Sequence, residues 1–184
     1  MHVNAKKMAA GGIMLALSVI FMMLGNVLES STFFFLAAAS FFVGIVYREF
    51  GGRMGLAFCV AGILLGFLLA PNKLYVITYA AMGIYILIIE TVWRQIGKRI
   101  GKQGEHSVSI KKFRVLFWLV KYLVFNIMYL TAVFGFRELF FQGTLSGAAV
   151  AAVVLVGEAA LFLYDRAYEY TQGTLWNQMR RFLL

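Results

Sequence analysis

Six apolar stretches, each near the length that crosses a hydrocarbon core, divide this chain and set its class before any motif is read. The first runs from Met8 to Leu28, after the basic pair Lys6-Lys7. The second, Thr32 to Tyr47, is the shortest and leans on Ser30, Ser31 and Arg48 at its ends. The third covers Gly52 to Ala70 and stops at Pro71-Asn72-Lys73; the fourth covers Leu74 to Trp93. The fifth spans Phe113 to Phe136 and the sixth Thr144 to Tyr164. Of 184 residues, 62% are hydrophobic and 14% charged, against roughly 45–50% and about 25% for a soluble domain. A water-soluble core of this size has no room for the excess apolar surface. A secreted disulfide scaffold, a disordered tail and an ordinary cytosolic enzyme are all excluded. No strand-like alternation occurs, so the expected fold is all-α: a single domain, residues 1–184, built as a six-transmembrane-helix bundle.

Basic residues predict the orientation. With the N-terminus cytoplasmic, the inner segments hold Lys6, Lys7, Arg48, Arg53, Arg94, Lys98, Arg99, Lys102, Lys111, Lys112, Arg114, Arg166, Arg180 and Arg181. Only Lys73 and Arg137 face outward, and Lys121 lies within the fifth stretch. That split follows the positive-inside rule and places both termini in the cytoplasm of a multi-pass cell-membrane protein. The net charge of +9 therefore points to membrane orientation and not to nucleic acid. The start has the charge and length of a signal peptide, yet no small-residue cleavage site follows Leu28, so it is kept as a span. The connection 94–112 is basic and glycine-dotted, a loop for anionic headgroups or for a cytoplasmic partner. The tail 166–184 mixes Tyr168, Tyr170, Trp176 and Phe182 with Arg180 and Arg181, the pattern of an interfacial helix or anchored tail.

Catalytic signatures are missing from the sequence. His2 and His106 lie outside the spans, there is no HExxH, GxSxG or GxxxxGK[ST], and Cys59 is alone in an apolar run. No enzyme, metal or cofactor is expected. A lipid-directed enzyme using Glu158 or Glu90 as base rests only on intramembrane ionisable groups being functional candidates. Helix counting from the cytoplasmic ends puts Lys121 and Glu158 at similar depth in the inner leaflet on adjacent spans, which predicts a buried ion pair, with an ion relay as the alternative. Glu90 is expected to snorkel toward Arg94, one turn on.

Two surfaces look suited to binding. Ala9, Gly12 and Ala16, with Ala5 a turn earlier, form a small-residue strip on the first span where another helix can approach; packing inside the bundle explains it equally well. On the outer side, Glu29, Ser31, Asn72, Lys73, Tyr79, Asn126, Tyr129 and Arg137 offer polar groups among Phe33, Phe34, Phe35, Phe134 and Phe136. These are the materials of a small-molecule pocket, or of an interfacial aromatic belt. Lys73 and Arg137 are the outer cations available to an anionic ligand.

The opening Lys6-Lys7-Met8-Ala9-Ala10-Gly11-Gly12-Ile13-Met14-Leu15-Ala16-Leu17, in a chain of this size and span count, resembles the S components of energy-coupling factor transporters. Leu68-Leu69-Ala70-Pro71-Asn72-Lys73 with Tyr79 downstream is similar to uncharacterised S-component-like proteins of Gram-positive bacteria. The resemblance implies capture of a vitamin-like micronutrient at the outer face. Delivery would follow by toppling against a transmembrane coupling subunit driven by two cytoplasmic ATPases. It also implies that an Ala-x-x-x-Ala face meets the coupling subunit, here Gly12 and Ala16 or Ala5 and Ala9. The alternative is a structural or regulatory membrane subunit docking a partner, or lipid, through the basic loop and tail.

Overall fold

The computed structural model describes residues 5–103, 107–135 and 147–178. Among them, helix is the only regular structure. Helix α1 covers Ala5–Val27, a 3-10 turn Glu29–Ser31 follows, and α2 covers Thr32–Phe50. Helix α3 is Gly52–Leu69, α4 is Lys73–Gln103 and α5 is Ser107–Gly135. Helix α6, Gly147–Tyr170, continues through a π-helical turn at Thr171–Leu175 into residues 176–178. Four helical segments are long and apolar enough to cross a membrane: Ala5–Val27, Thr32–Phe50, Gly52–Leu69 and Lys73–Lys98. A shorter apolar segment, Val115–Thr131, lies within α5. This is a membrane-embedded helical protein.

Local chemistry places the breaks. Gly51 adopts φ +94° and ψ 168° between α2 and α3, a backbone state essentially reserved for glycine. At the far end of α3, Ala70 turns extended before Pro71, as the residue before a proline tends to do. Lys73 Nζ donates to the carbonyls of Phe67 and Ala70, satisfying acceptors left open at the end of α3. Asn72 Oδ1 accepts from the Leu74 amide at 3.0 Å and so starts α4.

One expectation is corrected along α4 and α5. Residues 94–103 and 107–112, expected within a loop, are helical. Gln, Lys, Arg and Ile dominate Arg94–Gln103, and isolated Gly97 and Gly101 cost only about 1 kcal/mol each, too little to stop a helix already propagating. At about 1.5 Å per residue the 31-residue α4 is roughly 46 Å long, well beyond a hydrocarbon core of about 30 Å. Its last turns carry the basic residues as a helical arm.

Internal contacts divide the chain into two compact units, 1–97 with 170–184, and 98–169. In the first, α1, α2 and α3 pack on one another. Their core gathers Met14, Met22, Leu36, Val43, Phe58 and Tyr79, and Trp176 joins it from the C-terminal segment. That helical segment is anchored to the core over 172–176. Gln172 Nε2 donates to the Phe41 carbonyl at 3.3 Å, and Trp176 Nε1 donates to Glu49 Oε1 at 2.9 Å. In the second unit α5 and α6 meet through polar side chains, taken up below.

Candidate functional site

The residues expected to form one outer pocket have separate fates. Tyr79 is fully buried, so it lines no open site. Gly62 on α3 lacks the Cβ that would collide with the Tyr79 hydroxyl, and the ring fills that space. Ser18 donates to the Ala39 carbonyl at 2.9 Å and shares a 3.3 Å hydrogen bond with the Tyr79 hydroxyl, so this polar knot ties α1, α2 and α4. Asn72 and Ser31 are exposed, and the Asn72 amide donates to Asn26 Oδ1 at 3.3 Å. Lys73 is exposed, but its ammonium is engaged by the α3 carbonyls and lies 4.9 Å from the Phe67 ring centroid. Glu29 belongs to the 3-10 turn, with its side chain outside the described set; Arg137 and Phe136 lie outside the described residues altogether. Phe33 and Phe34 are 75% and 68% exposed, as an aromatic belt would present them.

Glu90 also departs from expectation. It is 3% exposed and does not snorkel to Arg94: Arg48 donates from both Nε and Nη2 to Glu90 Oε1, bridging α2 and α4. Beside this pair the Tyr47 and Thr91 hydroxyls are 2.9 Å apart. Burial decides the pairing, because a carboxylate held inside the bundle requires a cation that can reach it, and Arg48 is adjacent across the helix contact.

The richest polar chemistry lies between α5 and α6. Lys121 and Glu158 do not pair. Lys121 Nζ sits 2.7 Å from Asp165 Oδ1 and donates to Glu169 Oε1 at 2.9 Å. Both Lys121 and Asp165 are 3% exposed. The Phe117 and Trp118 rings flank the same ammonium, with centroids at 4.7 and 5.2 Å. Burial pushes the Asp165 carboxyl up from its ordinary value, while the hydrogen bond and charge of Lys121 pull it down. Asp165 lies one residue past the expected sixth span.

Further along the hairpin, Asn126 Nδ2 donates to Glu158 Oε1 at 2.7 Å, and the Tyr129 hydroxyl donates to the Val153 carbonyl at 2.8 Å. The rungs 121/165, 126/158 and 129/153 have the register of two antiparallel helices. Gly157 admits the Tyr129 ring, since a Cβ there would stand 2.5 Å from it. Thus the structure brings Asn126, Tyr129 and Glu158 together and moves Lys121 to partners the sequence reading did not select. The available signal is the spacing of Glu158, Asp165 and Glu169, which places all three carboxylates on one helical face. Among the described residues no three His, Cys, Asp or Glu side chains converge to hold a metal.

Helix α1 has two distinct faces. Ala10, Met14, Ser18 and Met22 are buried, whereas Ala5, Ala9, Gly12 and Ala16 are exposed. A Cβ built at Gly11 or Gly12 would meet nothing within 4 Å. No family model matches the chain, and no match was found among curated proteins or solved structures.

Proposed function

We propose that the chain is the substrate-capture membrane subunit of an uptake transporter of the energy-coupling factor type. In this reading six spans cross the cell membrane with both termini cytoplasmic. A vitamin-like micronutrient binds at the outer face, and the subunit delivers it by toppling against a coupling subunit served by two ATPases. The observation that carries the reading is the unoccupied small-residue face of α1. Ala5, Ala9, Gly12 and Ala16 are exposed in one stripe while the opposite face is filled. Without a water-driven hydrophobic effect, helices associate in a bilayer through close packing, and small residues permit that approach. A small-residue stripe on the exposed side of α1, flanked by the exposed Ile13 and Leu17, suits a contact that must form and slide.

The structural or regulatory alternative uses the basic arm and the tail. The arm supports it, but Gln172 and Trp176 of the tail already pack on α2. Affinity purification from native membranes in mild detergent, with mass spectrometry of proteins and small molecules, separates the two. The capture reading expects a coupling subunit and two ATPases, lost from Gly12→Leu and Ala16→Leu variants that remain folded. Partners retained by those variants but lost when Lys98, Arg99, Lys111 and Lys112 are neutralised would overturn it in favour of the scaffold.

A further inference from the structure

Helix α5 meets two carboxylate sites on α6, and only one of them holds a cation. At Lys121 an ammonium lies between Asp165 and Glu169, against the Phe117 and Trp118 rings. Two turns away on the same face of α6, about 10 Å at 1.5 Å per residue, Glu158 repeats the setting. Its Oε1 accepts from Asn126, and its Oε2 is buried without a hydrogen-bond partner among the described residues. An aromatic ring is present too: Tyr129 packs against Gly157, next to Glu158 in the chain, and stacks on Phe125 at 5.2 Å. No ion pair to Glu158 occurs among the described residues, and a buried carboxylate oxygen with neither donor nor cation is costly.

We infer that Glu158, with Asn126 and the Phe125–Tyr129 stack, is a recognition site for a small molecule bearing a positively charged nitrogen. Carboxylate plus aromatic face is the chemistry that selects such a group, because the ring quadrupole and the anion attract the same charge. An N–H on that nitrogen supplies the donor that Glu158 Oε2 lacks. Asn126 holds the carboxylate in place by donating to its other oxygen. The charge class is opposite to the one expected from Lys73 and Arg137, and Lys73 is already occupied by backbone carbonyls. With the sixth span entering from outside at Thr144, Glu158 lies in its cytoplasmic half, so this site is separate from the outer-face capture proposed above and does not rest on it.

The test uses the full chain in lipid nanodiscs and equilibrium dialysis with labelled benzylammonium. Benzoate serves as the anionic counterpart and Na⁺ as an inorganic competitor. Saturable benzylammonium binding is expected, unaffected by benzoate, weakened at least tenfold by Glu158→Gln and several-fold by Phe125→Leu. Glu158→Asp should bind more weakly than the native chain yet better than Glu158→Gln, which keeps the assignment testable if the amide variant folds poorly. Absence of saturable binding, binding indifferent to Glu158→Gln, or full displacement by Na⁺ would each overturn the inference. Benzoate binding in place of benzylammonium would overturn the charge class alone and leave substrate capture standing. Capture itself falls on a separate result, failure to recover the coupling subunit.

Discussion

Replacing Lys121 with methionine removes an ammonium 2.8 Å from Asp165 Oδ2 and 2.9 Å from Glu169 Oε1 while keeping most of the side-chain volume. The Asp165 side chain is only 4% exposed and water cannot take over, so the variant leaves a buried, uncompensated charge. Breaking a buried pair from one side costs about 3–5 kcal/mol. Asp165→Asn should cost less, because Lys121 keeps Glu169, which is 44% exposed on its side chain. With both changes the two costs should overlap by about 1–3 kcal/mol, the coupling expected of residues in direct contact. Lys121→Met and Glu158→Gln should instead add to within roughly 0.5 kcal/mol. Unfolding by SDS titration from mixed micelles, followed by circular dichroism, gives all the free energies needed. Coupling between 121 and 158 that exceeds coupling between 121 and 165 would refute the register of the α5–α6 hairpin.

The same carboxylate predicts a pH dependence. Burial raises the Asp165 value above its ordinary 3.8 despite Lys121, so the folded chain keeps this proton to higher pH than the unfolded one. Stability from this group is full below 3.8 and falls as pH rises through the raised value; Lys121→Met should steepen that fall and Asp165→Asn flatten it, read from melting temperatures across mildly acidic to neutral pH. Gly62→Val should destabilise by about 1–3 kcal/mol, since its side chain enters the space of the Tyr79 ring, while Tyr79→Phe should cost about 1 kcal/mol for the Ser18 bond; melting curves check both. Trp176→Ala should free the C-terminal segment, removing a buried ring and its bond to Glu49, at about 3–5 kcal/mol. Hydrogen exchange at 172–178 should then rise sharply; unchanged protection there would contradict the packing on α2.

The first three helices were legible because their limits are written in punctuation. Gly51 takes a backbone state other residues avoid, and Pro71 follows the extended Ala70 that caps α3, so α3 begins and ends within a residue of its apolar run. The reach of α4 was not legible from the same signals. Glycines and charge between Arg94 and Gln103 imitate a loop, whereas the high helix propensity of the intervening residues carries the helix onward. Tyr79 shows a different gap. Its aromatic ring with a polar tip fits an open pocket as well as a sealed core. What decides is Gly62, seventeen positions earlier on another helix, together with Ser18 on a third.

The Lys121 pairing shows why a depth count could not locate the ion site. Counting from hydropathic boundaries assumes that α6 stops where its apolar run stops, at Tyr164, whereas the helix continues past Tyr170. Those added turns carry Asp165 and Glu169 to Lys121 and leave Glu158 to Asn126. The displacement is two helical turns and keeps the same face, so periodicity alone accepts either register. Electrostatics separates them: Lys121 satisfies two carboxylates only in the observed one, and the carboxylate left over is the one bonded to Asn126, next to the glycine that receives the Tyr129 ring. A residue set chosen as a polar pocket thereby acquires a sign. Lys121 is committed elsewhere, and among the described residues no other cation pairs with Glu158.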